Sequence, residues 1–111
     1  MTEKILREVV EKYAAEARQQ FGKELQGVIL YGSCARGDFS SDSDIDILVL
    51  LDVPVEELSR ARKQMLDVAD QLDLAYNVVL APVFQSYDVY RKFTPISAFY
   101  QNVEKEGVRI A

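Results

Sequence analysis

The stretch Asp44-Ile45-Asp46-Ile47-Leu48-Val49-Leu50-Leu51 constrains the fold more than any other part of the chain. It opens with polar–apolar alternation and then becomes continuously apolar, the pattern of a strand covered on both faces. Such a strand needs a sheet beside it and helices over it. Alternation also sends the Asp44 and Asp46 side chains to one face and Ile45 to the other. The strand rise sets the two carboxylates about 6–7 Å apart. Like charges that close are unfavourable unless a cation bridges them. Mg²⁺ suits such a place, because it takes oxygen ligands and shares them between a few carboxylates and substrate phosphates.

The flanking segments supply the rest of the fold. Between residues 2 and 22, Ile5, Leu6, Val9, Val10, Tyr13, Ala14, Ala17 and Phe21 recur at helical spacing. Glu3 in the first turn and Gly22 at the end complete an amphipathic helix. Leu25–Tyr31 reads as a strand ending at Gly32, and residues 32–43 as a small, polar loop. Pro54, Glu56 and Glu57 start a second helix, with Leu58, Ala61, Met65, Val68, Ala69 and Leu72 on one face. Tyr76–Val83 reads as a third strand, which Pro82 ends or confines to an edge. Tyr87–Phe93 and Ile96–Glu106 are short helices, and Val108–Ile110 a terminal strand or coil. With 111 residues, 49% of them hydrophobic, these pieces make a single domain over 1–111. The expected class is α/β (α+β), a small mixed β-sheet flanked by helices, with a right-handed crossover where a helix joins two strands.

Composition removes much chemistry. There is no histidine, so Ser-His-Asp and Cys-His catalysis and histidine general bases are excluded. The single cysteine, Cys34, permits no internal disulfide and reads as a small packed or loop residue. Asp42, Asp44 and Asp46 mimic an EF-hand loop, but Ile47 and Val53 stand where it needs glycine and glutamate. No Walker-type Gly-Lys-Ser/Thr is present. The net charge of −5 gives no general attraction to nucleic acid or anionic membrane. The N-terminal MTEKILREVVEKY is unlike a signal peptide, and a cytoplasmic location is expected.

What remains is chemistry by carboxylates, hydroxyls, backbone amides and hard cations. Gly32 and Ser33 stand where the first strand ends. Glycine lets the backbone approach a phosphate, the following amides can form an anion-binding concavity, and the Ser33 hydroxyl can add a hydrogen bond. Arg36 either lowers the negative charge of a bound phosphate or pairs with Asp38 and Asp42. Ser43 either orients a ligand or belongs to the loop. Tyr87, Tyr90 and Tyr100 complete the core, or else stack on a base or face a partner.

The segment GSCARGDFSSDSDID, with Gly-Ser, ten residues and Asp-x-Asp, resembles the signature of the minimal nucleotidyltransferases, relatives of the DNA polymerase beta superfamily. Ala35-Arg36-Gly37, Ser43 and the closing FYQNVEKEGVRI extend the resemblance through most of the chain from Val28. It implies an ATP-like donor, two Mg²⁺ held by Asp44 and Asp46, and transfer of a nucleoside monophosphate to a hydroxyl. It also implies a small helical HEPN protein as partner, in some pairs a toxic RNase silenced by adenylylation of a tyrosine. The family commonly adds a third carboxylate on the next core strand, and the matching register here places Asn77 at that position. Asparagine can coordinate but cannot accept a proton. Asp73, close by, is expected at a helix end facing solvent. The alternative implied by Asn77 is a degenerate relative that acts on its partner by contact.

Overall fold

The computed structural model describes residues 1–111. Helix α1 (Glu3–Phe21) is followed by a 3-10 turn and strand β1 (Leu25–Tyr31). A single helical turn α2 (Ser33–Arg36) leads to β2 (Ile45–Leu51), and α3 (Leu58–Gln64) with α4 (Leu66–Tyr76) crosses to β3 (Leu80–Ser86). Helices α5 (Tyr87–Phe93) and α6 (Ala98–Glu106) and a two-residue strand β4 (Val108–Arg109) close the chain. The sheet order is β3-β2-β1-β4. β1 pairs antiparallel with β2 and with β4, while β3 pairs parallel with β2, so the sheet is mixed as expected.

The apolar run of β2 occupies the centre of the sheet. Ile45, Ile47, Val49 and Leu51 join Val28 and Leu30 under α1, α3 and α4 in the larger core. Leu48 and Leu50 join Ile29, Tyr90 and Val103 in a smaller core under α5 and α6. Alternation places Asp46 on this second face, two residues before Leu48. The α1 stripe is buried from Leu6 to Phe21, with Thr2 Oγ1 accepting the Ile5 N–H at 3.1 Å and Gly22 closing the helix at φ 54°. No helix is long and apolar enough to cross a membrane.

Tyr13 of α1 is fully buried, and its hydroxyl has no hydrogen-bond partner. A buried unpaired hydroxyl costs stability. Tyr13→Phe is expected to stabilise the protein by about 1 kcal/mol, raising Tm by roughly 4 °C in a thermal melt; a drop in Tm would show that the hydroxyl is in fact satisfied.

Three expectations need correction. The second helix is two, because Met65 leaves helical geometry at φ −99° and ψ 1°. Its apolar face is nonetheless the expected one, with Ala61, Met65 and Ala69 buried. The third strand starts at Leu80, not Tyr76, because Asn77 ends α4 in the left-handed region at φ 54° and ψ 52°. Asparagine tolerates that conformation, and the cap lets its N–H reach the Asp73 carbonyl. Asp73 does not face solvent, since its Oδ1 accepts the Leu80 N–H at 2.9 Å and so begins β3. Partial burial, the larger cause, and the charge of Asp70 push its carboxyl up, against that hydrogen bond. Pro82 lies within an edge strand, as its missing N–H requires.

Candidate functional site

The end of β1 and the start of β2 meet at one corner, where Tyr31 is in register with Asp46. Gly32 follows with φ 74° and ψ −156°, a conformation open essentially to glycine alone. A Cβ on Gly32 would lie 2.5 Å from Asp46 Oδ2. The Asp46 carboxylate therefore packs directly on the glycine backbone. From Gly32 the chain winds into α2, with the Gly32 carbonyl accepting the Ala35 and Arg36 amides at 3.1 Å. The Ser33 carbonyl accepts those of Gly37 and Asp38 at 3.0 and 3.2 Å. The first amides of such a turn, Ser33 and Cys34, have no carbonyl within it to donate to. Ser33 is the first residue of the turn and not its cap, the cap position belonging to Gly32.

Cys34 is buried beneath this corner, and its Sγ donates to the Asp44 carbonyl oxygen at 3.4 Å. That contact ties the turn to the entry of β2. Ser43 stabilises the loop in between: its Oγ accepts the Ser40 N–H at 2.9 Å, and its own N–H donates to the Ser40 carbonyl. Asp44 is exposed and Asp46 half-buried.

Negative charge accumulates here. Partial burial, and then the charge of Asp44, hold the Asp46 carboxyl above the usual carboxylate range, with Arg36 pulling it down. Burial first and Asp46 second raise the Tyr31 hydroxyl. The Cys34 thiol is raised by burial and then by Asp46, partly offset by a hydrogen bond with Ser33. Arg36 is the basic group whose charge reaches Asp46, yet its guanidinium donates to Asp38 at 3.3 Å and to Glu106 at 3.1 Å. A hard cation would relieve the repulsion, so the pair of carboxylates fits a divalent metal whose other ligands are phosphates and water.

No third acidic, thiol or imidazole side chain joins Asp44 and Asp46 in a cluster. The residue of β3 in register with Asp46 is Ala81. Asn77, expected on that strand, instead caps α4 and lines a small cleft with Ser41, Asp42 and Ser43. Ala81 thus stands opposite Asp46 on β3, and Asn77 is a cap beside the Asp44 loop. The late tyrosines belong to packing: Tyr90 is buried with its ring 4.9 Å from Tyr100, and the Tyr100 hydroxyl accepts from Gln85 at 2.9 Å.

Helix α6 contributes residues that local reading overlooks. The Phe99 ring meets Tyr31 edge-on at 5.4 Å, and Glu106 reaches Arg36. Strand alternation could have placed Tyr31 on the Asp46 face, but nothing local announces a contact across 70 residues.

Comparison with known proteins decides the family. The family model described as a nucleotidyltransferase domain matches residues 10–108. The chain belongs to the nucleotidyltransferase domain family. Two candidate protein adenylyltransferases of Methanocaldococcus jannaschii are similar along nearly their whole lengths. One is 34% identical over 98 residues, covering 88% of this chain and 90% of that protein. The other is 29% identical over 105 residues, covering 93% and 96%. The nucleotidyltransferase fold is shared with a candidate nucleotidyltransferase of Sulfolobus solfataricus, at TM-score 0.63 and 20% identity, covering 96% of this chain and 80% of that one. It is also shared with the minimal nucleotidyltransferase antitoxin complex containing the tri-AMPylated HEPN toxin of Shewanella oneidensis, at TM-score 0.53 and 20% identity, covering 95% and 71%. In this nucleotidyltransferase the matched span includes the corner where Gly32 meets Asp46.

Proposed function

We propose that this nucleotidyltransferase moves AMP from ATP to a hydroxyl on a protein, and that the acceptor is a small helical partner of the HEPN kind. The observation that carries the reading is the packing of the Asp46 carboxylate on Gly32, which joins a carboxylate pair to a turn with free amides. The relatives described as protein adenylyltransferases support a protein acceptor. The AMPylated HEPN toxin held by a protein of the same fold supports the partner.

Each group has a part. The amides of Ser33 and Cys34 and the Ser33 hydroxyl hold phosphate oxygens, Arg36 balances their charge, and Ser43 fixes the loop that presents Asp44. Asp44 and Asp46 would hold two Mg²⁺, which when bound offset the triphosphate charge and make the α-phosphorus electrophilic. The acceptor oxygen forms a bond to the α-phosphorus as its hydroxyl proton passes to water, the bond from the α-phosphorus to the bridging oxygen breaks, and pyrophosphate leaves with that electron pair. ATP as substrate and a lone cysteine suit a cytoplasmic setting.

The test uses ATP labelled at the α-phosphate, Mg²⁺ and a HEPN partner. Label passes to the partner with wild-type protein and not with Asp44→Asn, and ATP labelled at the γ-phosphate transfers none. Absence of label on any acceptor would overturn transfer. The lack of a third carboxylate beside Asp46 favours a second reading, neutralisation of the partner by contact alone. Under that reading, cells co-expressing a toxic partner with Asp44→Asn grow as well as with wild type.

A further inference from the structure

We propose that Glu106 is a positioning residue of the nucleotide site, holding the Arg36 guanidinium beside the Gly32–Gly37 turn in readiness for the triphosphate. The inference rests on the nucleotide-binding reading above. Glu106 Oε2 accepts from Arg36 Nη1 at 3.1 Å, and Asp38 accepts from Arg36 Nε at 3.3 Å. Both pairs lie on the surface, with 45% of the Arg36 side chain and 36% of the Glu106 side chain exposed, so screening leaves them little to add to folding. Their consequence is geometric. A free arginine stem loses rotamer freedom when it grips a ligand, whereas a clamped one has lost it beforehand. Two of the five N–H donors are committed to carboxylates, which leaves the others for phosphate oxygens.

The helix bearing Glu106 is itself fixed against the site. Phe99, Val103 and Glu106 are spaced to share one face of α6. Phe99 lies edge-on to Tyr31, the register partner of Asp46, and Val103 is buried under the sheet. Immediately after Glu106, Gly107 sits so close to the Val103 carbonyl and to Ile29 that no side chain fits there. Glu106 thus arrives at the turn on a braced helix end.

The experiment compares Glu106→Gln, Arg36→Gln and the double variant by calorimetric titration with ATP and Mg²⁺, alongside thermal melts. Each single change is expected to weaken ATP roughly fivefold, and the double variant to bind like Arg36→Gln alone. Tm stays within about one degree of wild type in all three, because the pair is exposed. ATP affinity unchanged or tightened in Glu106→Gln, or losses that multiply in the double variant, would overturn the proposal while leaving the nucleotide site intact. Wild-type protein that binds no ATP overturns the nucleotide reading and this inference together.

Discussion

Asp44→Asn and Asp46→Asn are each expected to abolish Mg²⁺-dependent ATP binding and to lower AMP transfer by more than about a hundredfold, as loss of a direct metal ligand should exceed the effect of losing an outer-shell partner. The same substitution at Asp46 is expected to raise stability. Its carboxyl is held above the ordinary carboxylate range by partial burial and by Asp44. A carboxyl with a raised folded-state pKa adds stability below its unfolded pKa and loses it as pH rises through the folded value. At neutral pH the ionised Asp46 is therefore a net cost, and asparagine removes it. Thermal melts should show Asp46→Asn above wild type at neutral pH, and the gap closing as pH falls through the raised Asp46 pKa and the wild-type carboxyl takes up its proton. Mg²⁺ should raise the wild-type Tm at neutral pH and leave Asp46→Asn unmoved, since a ligand stabilises only the state that binds it. A variant that melts lower at neutral pH, or still responds to Mg²⁺, would contradict the charge arrangement.

Gly32→Ala is expected to be far more damaging than Gly37→Ala, although both glycines have positive φ. At Gly32 the backbone is in a region kept for glycine, and the new Cβ would collide with Asp46 Oδ2. Strain of this kind costs about 1–3 kcal/mol before the clash is counted. Relief of the clash requires Asp46 to move, so Gly32→Ala should lose ATP binding as well as about 3 kcal/mol of stability. Gly37 has φ 84° and faces open space, so the methyl group of an alanine there meets no atom within 4 Å. Only the left-handed backbone penalty of about 1 kcal/mol remains, and ATP binding should persist. Denaturant titration and calorimetry of the two variants provide the comparison; equal loss of ATP binding in both would mean that the turn as a whole, and not the Gly32–Asp46 contact, governs the site.

Much of the fold can be read from local pattern. Helix α1 follows directly from its apolar spacing, and β2 from alternation giving way to a solid apolar run, because both periodicities are properties of neighbouring residues. Asp44 and Asp46 and the Gly32-Ser33 corner are legible for the same reason, being two short motifs in one contiguous stretch. Asn77 shows where local reading ends. Its neighbours Val78 and Val79 suit a strand, yet the helix before them needed a left-handed cap, and asparagine met that need. Asp73 likewise serves the first amide of β3 instead of solvent, a pairing visible only once the connection is folded.

The alternating core, the mixed sheet and two carboxylates at a strand entrance were thus written into the order of residues along the chain. Which residues surround those carboxylates was left to the packing of distant elements. Placement of β3 beside β2 set Ala81 and not a carboxylate opposite Asp46, and docking of α6 brought Phe99 to Tyr31 and Glu106 to Arg36. The division has a physical origin: backbone periodicity is fixed over a few residues, whereas the register between distant elements follows from how their side chains fill a shared core.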